Sequence, residues 1–84
     1  MYRRFFNMAV TINLKLFALL QRFNPENARA YPVEEGATIN DIIEKLGIPE
    51  GESKFAFVND KKVEFDHVLQ NGDTLGLFPY VTGG

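Results

Sequence analysis

The sequence closes on Phe78-Pro79-Tyr80-Val81-Thr82-Gly83-Gly84, and the reactive group that this motif suggests is the α-carboxylate of Gly84. It is ionised at neutral pH and is a poor electrophile, because oxide is a poor leaving group. Attack on the α-phosphorus of Mg-ATP would turn it into an acyl adenylate. A sulfur nucleophile could then displace AMP and leave a thiocarboxylate. Glycine suits such an end: Gly83 and Gly84 thread a narrow channel without side-chain clash or the dihedral limits of other residues. Glycine is also costly to order, and termini made of it fray. Residues 79–84 are therefore expected to be a flexible tail, released from the sheet at Pro79.

Side-chain chemistry offers little beside it. With 0 cysteines the chain holds no disulfide, iron–sulfur cluster or thiolate zinc site, and a single histidine, His67, does not make a metal site. No metal or bound cofactor is expected. His67 stands in a turn without a nucleophile beside it and reads as structural, and Asp66 and Asp73 read as turn caps. Lys15, Lys45, Lys54, Lys61 and Lys62 read as solvated. The chain thus supplies no general base and no nucleophilic side chain, which makes it a co-substrate rather than an enzyme on its own.

The elements that must position the tail follow from length and pattern. Eighty-four residues make one domain, and 45% hydrophobic content is globular. A net charge of −2 argues against a nucleic-acid partner, which calls for a basic face. Apolar runs fall well short of the roughly 20 residues that span a bilayer, so no membrane partner is expected. Cysteine absence fits a reducing cytoplasm. Residues 1–7, MYRRFFN, read as a flexible leader before Met8, a possible start, and lack the features of a signal peptide.

In VTINLKL, Val10, Ile12, Leu14 and Leu16 alternate with polar residues, the mark of a half-buried strand. FALLQRFNPEN is a connection with a helical turn that Pro25 ends. ARAYPV is a weaker strand whose Pro32 suits an edge. Thr38 caps a helix with Asp41 three residues on, and Ile39, Ile42, Ile43 and Leu46 form one apolar stripe. Gly47 closes it and Pro49 forbids resumption. KFAFVNDKKVEF reads as a strand, a turn at Asn59-Asp60 and a short strand. Asn71-Gly72 marks another turn, and TLGLF is the last strand. One helix across a mixed sheet of four to five strands, over residues 8–78, is the economical burial of these stripes. That α+β arrangement is the β-grasp, or ubiquitin-like, fold.

Residues 58–84 carry a resemblance as well. Val58-Asn59 before the turn, Phe65-Asp66-His67, Leu69, Gly72-Asp73, Phe78-Pro79 and Val81-Thr82-Gly83-Gly84 resemble the MoaD family, the small subunits of molybdopterin synthase. They are similar, less closely, to ThiS, the sulfur carrier of thiazole synthesis. The short GIPEGES loop is nearer to ThiS. The resemblance implies a cytoplasmic sulfur carrier whose Gly84 carboxylate is adenylated by a MoeB-like enzyme using Mg-ATP and then receives persulfide sulfur. It further implies donation to the molybdopterin dithiolene in complex with a MoaE-like large subunit. The same activated terminus would serve thiazole synthase or an isopeptide bond to a lysine, as in a ubiquitin-like modifier.

A partner also needs a face to dock on. If Ala56, Val58, Leu75 and Leu77 face the helix, alternation sends Phe55, Phe57, Gly76 and Phe78 to the other side. Phe55, Phe57 and Phe78, with Pro79, Tyr80, Val81 and Thr82 leading to the terminus, are the expected partner-binding residues. The plainer alternative is that the aromatic cluster covers itself or packs against the leader.

Overall fold

The computed structural model describes residues 10–79. The expectations for residues 1–7, and for Tyr80, Val81, Thr82, Gly83 and Gly84, lie outside the described residues.

Five strands form one sheet: β1 (Val10–Leu16), β2 (Tyr31–Val33), β3 (Ser53–Val58), β4 (Lys61–Val63) and β5 (Thr74–Pro79). Their spatial order is β2-β1-β5-β3-β4. β1 and β5 run parallel and the other neighbours antiparallel. Helix α1 (Ile39–Leu46) supplies the second layer. This is the β-grasp architecture that the pattern implied, with the chain's last strand at the centre of the sheet.

Alternation puts Ile12, Leu14 and Leu16 of β1, Ala56 and Val58 of β3, and Leu75 and Leu77 of β5 on one buried face. Ile39 and Ile42 of α1 are buried with them, while Ile43 and Leu46 pack at the margin. The helix starts where its capping box requires. The Thr38 hydroxyl accepts from the Asp41 N–H, and the Asp41 carboxylate accepts from the Thr38 N–H. It ends at Gly47, whose φ of 77° is the left-handed turn that glycine takes without a Cβ penalty.

Two connections set the sheet's register. Asn59 and Asp60 both have positive φ, 52° and 73°, the turn that matches strand twist in a tight hairpin and that Asn and Asp tolerate. The Asn71-Gly72 turn is bound onto the start of β1. There the Thr11 N–H donates to Asn71 Oδ1 at 2.9 Å and the Gly72 N–H donates to the Thr11 carbonyl at 2.8 Å.

The segment between β1 and β2 departs from a plain connection. Two 3-10 turns, Ala18–Phe23 and Ala28–Ala30, bridge it, and Leu20 from the first is fully buried. β2 is an edge strand, as Pro32 suggested, and the Lys45 ammonium donates to the Pro32 carbonyl at 3.2 Å.

One boundary differs. Pro79 is the last residue of β5, lies across from Ser53 on β3 and is buried, so it is part of the folded sheet and not of a tail starting at 79. The reason is directional. The carbonyls of Asp73 and Leu77 accept from β1 and its following residue, whereas that of Thr74 accepts from Asn59 at the end of β3. Alternation therefore turns the Pro79 nitrogen toward the β1 side. β1 has already left the sheet there, so the missing N–H costs no ladder bond.

Candidate functional site

β5 is held on both sides: Asn13 to Leu16 pair with Thr74 to Leu77 on one, and Val58 to Ser53 pair with Leu75 to Pro79 on the other. The position of β5 in the sheet is therefore fixed by the two central ladders. Pro79 follows Leu75 and Leu77 on the helix side. It is buried there as the last residue of β5.

The face away from the helix carries the aromatics. Phe55 is 38% exposed, and Phe57 and Phe78 are half-buried. Phe78 is covered by Phe17, the residue after β1, in a parallel stack with centroids 4.2 Å apart and planes 6° from coplanar. Phe57 meets Phe78 edge-on at 5.4 Å, and the Lys62 ammonium sits 4.8 Å from the Phe55 ring centroid. The cluster thus partly covers itself. Phe17, the first residue of the FALLQRFNPEN connection, supplies that cover. A signal was there, because Phe17 continues the odd-numbered alternation of Thr11, Asn13 and Lys15 onto this face.

Between these rings lies a depression of about 290 Å³, lined by Lys15, Phe17, Phe57, Asp60, Thr74, Gly76 and Phe78. Gly76 is buried at its floor. The predicted residues Phe57, Gly76 and Phe78 are brought together here, and Phe55 stands beside them. Gly83, Gly84, Tyr80, Val81 and Thr82 lie beyond the described residues.

The remaining candidates behave as turn elements. Asp73 is buried, and its carboxylate accepts from the Gln70 N–H at 2.8 Å and from Asn59 Nδ2 at 3.0 Å. The His67 carbonyl accepts from the Ile39 N–H, tying its turn to the start of α1. Among the described residues no three His, Cys, Asp or Glu side chains gather as metal ligands. No helix among them is long and apolar enough to cross a membrane.

Solved structures share this architecture. The Haloferax volcanii HVO 2177 protein superposes with a TM-score of 0.71 at 24% identity, over 90% of this chain and 88% of that one. A Pyrococcus furiosus chain provisionally assigned as molybdopterin converting factor subunit 1 gives 0.62 at 28% identity, over 87% and 100%. SAMP1 from Haloferax volcanii gives 0.63 at 23% identity, over 88% and 99%. No curated protein matches the sequence significantly. The MoaD-like resemblance read from residues 58–84 therefore extends to the whole fold. The family itself goes under another name, for the match spans residues 9–83: the chain belongs to the Mut7-C ubiquitin family.

Proposed function

We propose that this protein is a ubiquitin-like sulfur carrier whose Gly84 carboxylate is activated as an acyl adenylate and converted to a thiocarboxylate. One carboxylate oxygen attacks the α-phosphorus of Mg-ATP and pyrophosphate leaves. A persulfide on the activating enzyme attacks the acyl carbon and AMP leaves, giving an acyl disulfide. A second thiol of that enzyme cleaves the sulfur–sulfur bond, so the terminus keeps one sulfur and the enzyme is left with a disulfide. This chain has 0 cysteines, so every thiol in the sequence of steps belongs to the partner.

The observation that supports this reading best is the pairing of β5. Ladders hold the strand on both sides as far as Leu77 and on the β3 side as far as Pro79, and Tyr80-Val81-Thr82-Gly83-Gly84 follow. On this reading the folded body is the handle by which the activating enzyme holds the chain while it acts on Gly84. The aromatic face beside β5 is the surface on which a MoeB-like adenylating enzyme docks. The MoaD-like structural neighbour supports a MoaE-like large subunit as sulfur acceptor and molybdopterin as the product.

The test is an intact-mass measurement after incubation with Mg-ATP, the activating enzyme and a sulfur donor. A mass gain equal to exchanging one oxygen for sulfur supports the carrier. Isopeptide-linked lysine adducts without that gain would replace it with the modifier reading.

A further inference from the structure

The hairpin of β1 and β2 opens partway along its length. β2 pairs with Val10, Thr11 and Ile12, and past Ile12 the chain returns through two 3-10 turns instead of a strand. From Asn13 to Leu16, β1 therefore has β5 on one side and an unpaired edge on the other. The N–H groups of Asn13 and Phe17 donate toward β5, to the carbonyls of Asp73 and Leu77. Alternation then turns the N–H and C=O groups of Leu14 and Leu16 to the free edge. The outer edge of β2 is blunted, since Pro32 has no N–H to offer and its carbonyl accepts from Lys45. The edge at Leu14 and Leu16 carries no backbone partner among the described residues.

That edge borders a cavity of about 870 Å³, within the size range of ligand sites. Leu14, Leu16 and Ala28 give it an apolar wall, and Lys15, Gln21, Asn24 and Arg29 a polar rim. The chain carries −2 overall, yet no carboxylate lines this cavity. Lys15 also borders the aromatic depression, which it shares with Asp60. Arg29 is exposed and forms no ion pair among the described residues, so Arg29 sets the charge here. The backbone selects the occupant. An N–H and a C=O repeated at every second residue are completed by an extended peptide, whereas a small anion would meet the carbonyls unfavourably. Charge selects among peptides. Apolar side chains suit the wall, and carboxylates on the alternate face suit the rim.

We propose that the free edge of β1 at Leu14 and Leu16 accepts an extended segment of a partner protein in which apolar and acidic residues alternate. The segment's backbone continues the ladder, its apolar side chains lie toward Ala28, and one of its carboxylates pairs with Arg29. This surface is an edge of the sheet, apart from the aromatic face, and the proposal does not depend on the chemistry of Gly84.

The test is amide hydrogen exchange and chemical-shift titration of the isotope-labelled chain with millimolar blocked peptides. The probes are acetyl-Val-Glu-Val-Glu-Val-amide, its counterpart with lysine for glutamate, its fully N-methylated form, and inorganic phosphate. In the free chain the Leu14 and Leu16 amides should exchange faster than those of Asn13 and Phe17. The acidic peptide should slow Leu14 and Leu16 by about tenfold at about nine-tenths occupancy. The lysine and N-methylated peptides should bind more weakly by about fivefold or more. Arg29→Glu, at an exposed position outside every strand, should reverse the preference for the acidic peptide. Leu14 and Leu16 amides already protected in the free chain, shifts confined to other surfaces, or no response would each overturn the proposal. So would equal response to acidic and basic peptides, undiminished binding of the N-methylated form, or phosphate acting in place of the peptide.

Discussion

Asn59, just after β3, and Asp73, just before β5, tie together the adjoining ends of these neighbouring strands. Asn59 Nδ2 donates to the Asp73 carboxylate at 3.0 Å, and Asn59 Oδ1 accepts from the Thr74 N–H at 2.9 Å. Asp73 in turn accepts from the Gln70 N–H. One carboxylate and one amide thereby fix where the six-residue strand β5 begins. Asp73→Ala leaves these donors without their partner and should lower unfolding free energy by about 1–3 kcal/mol. Asn59→Gly preserves the left-handed turn and should cost less. Denaturant titration checks both, and equal costs would show that backbone conformation matters more than the hydrogen bonds.

The Phe17–Phe78 stack makes a second claim measurable. Because the rings lie at 4.2 Å and nearly parallel, a double-mutant cycle of Phe17→Leu and Phe78→Leu should give a coupling of about 0.5–1.5 kcal/mol. Additive effects would mean that the rings cover the sheet independently.

Helix α1 depends on its reciprocal cap. Thr38→Ala removes the oxygen that accepts from the Asp41 N–H and should cost about 1 kcal/mol. Thr38→Ser should restore most of it. A serine variant as unstable as alanine would point to the Thr38 methyl instead.

Burial pushes the Tyr31 phenol above its ordinary value, since the phenolate is the form that loses hydration. The folded state therefore holds this proton more tightly than the unfolded chain. Its contribution is complete below about pH 10 and is lost as pH rises through the raised value. Urea midpoints measured from neutral to strongly alkaline pH should fall, and Tyr31→Phe should reduce the fall. An unchanged decline in the variant would assign it to other groups.

Much of this fold is visible in the residues. The β1 alternation, the Thr38–Asp41 box, the Asn59-Asp60 turn and the edge proline each have a local cause that sequence spacing reveals, and the structure repeats them. Leu20 was hidden because a single apolar residue in a 3-10 turn has no period to announce it. Pro79 misled because its missing N–H matters only if a strand lies on that side, and neighbours in space are not written locally. The aromatic face was legible from β3 and β5. The β1 alternation also points Phe17 to that face, but its stack on Phe78 was not legible, because it joins residues 61 positions apart.

Mass spectrometry of two chains incubated with Mg-ATP, activating enzyme and a persulfide source probes the terminus directly: the full sequence, and one lacking Gly84. The sulfur-carrier account predicts that both fold alike and that the full sequence alone exchanges oxygen for sulfur, with the added mass localised to its final residue. Sulfur gained by the shortened chain, or by neither while the enzyme activates another carrier, would contradict it.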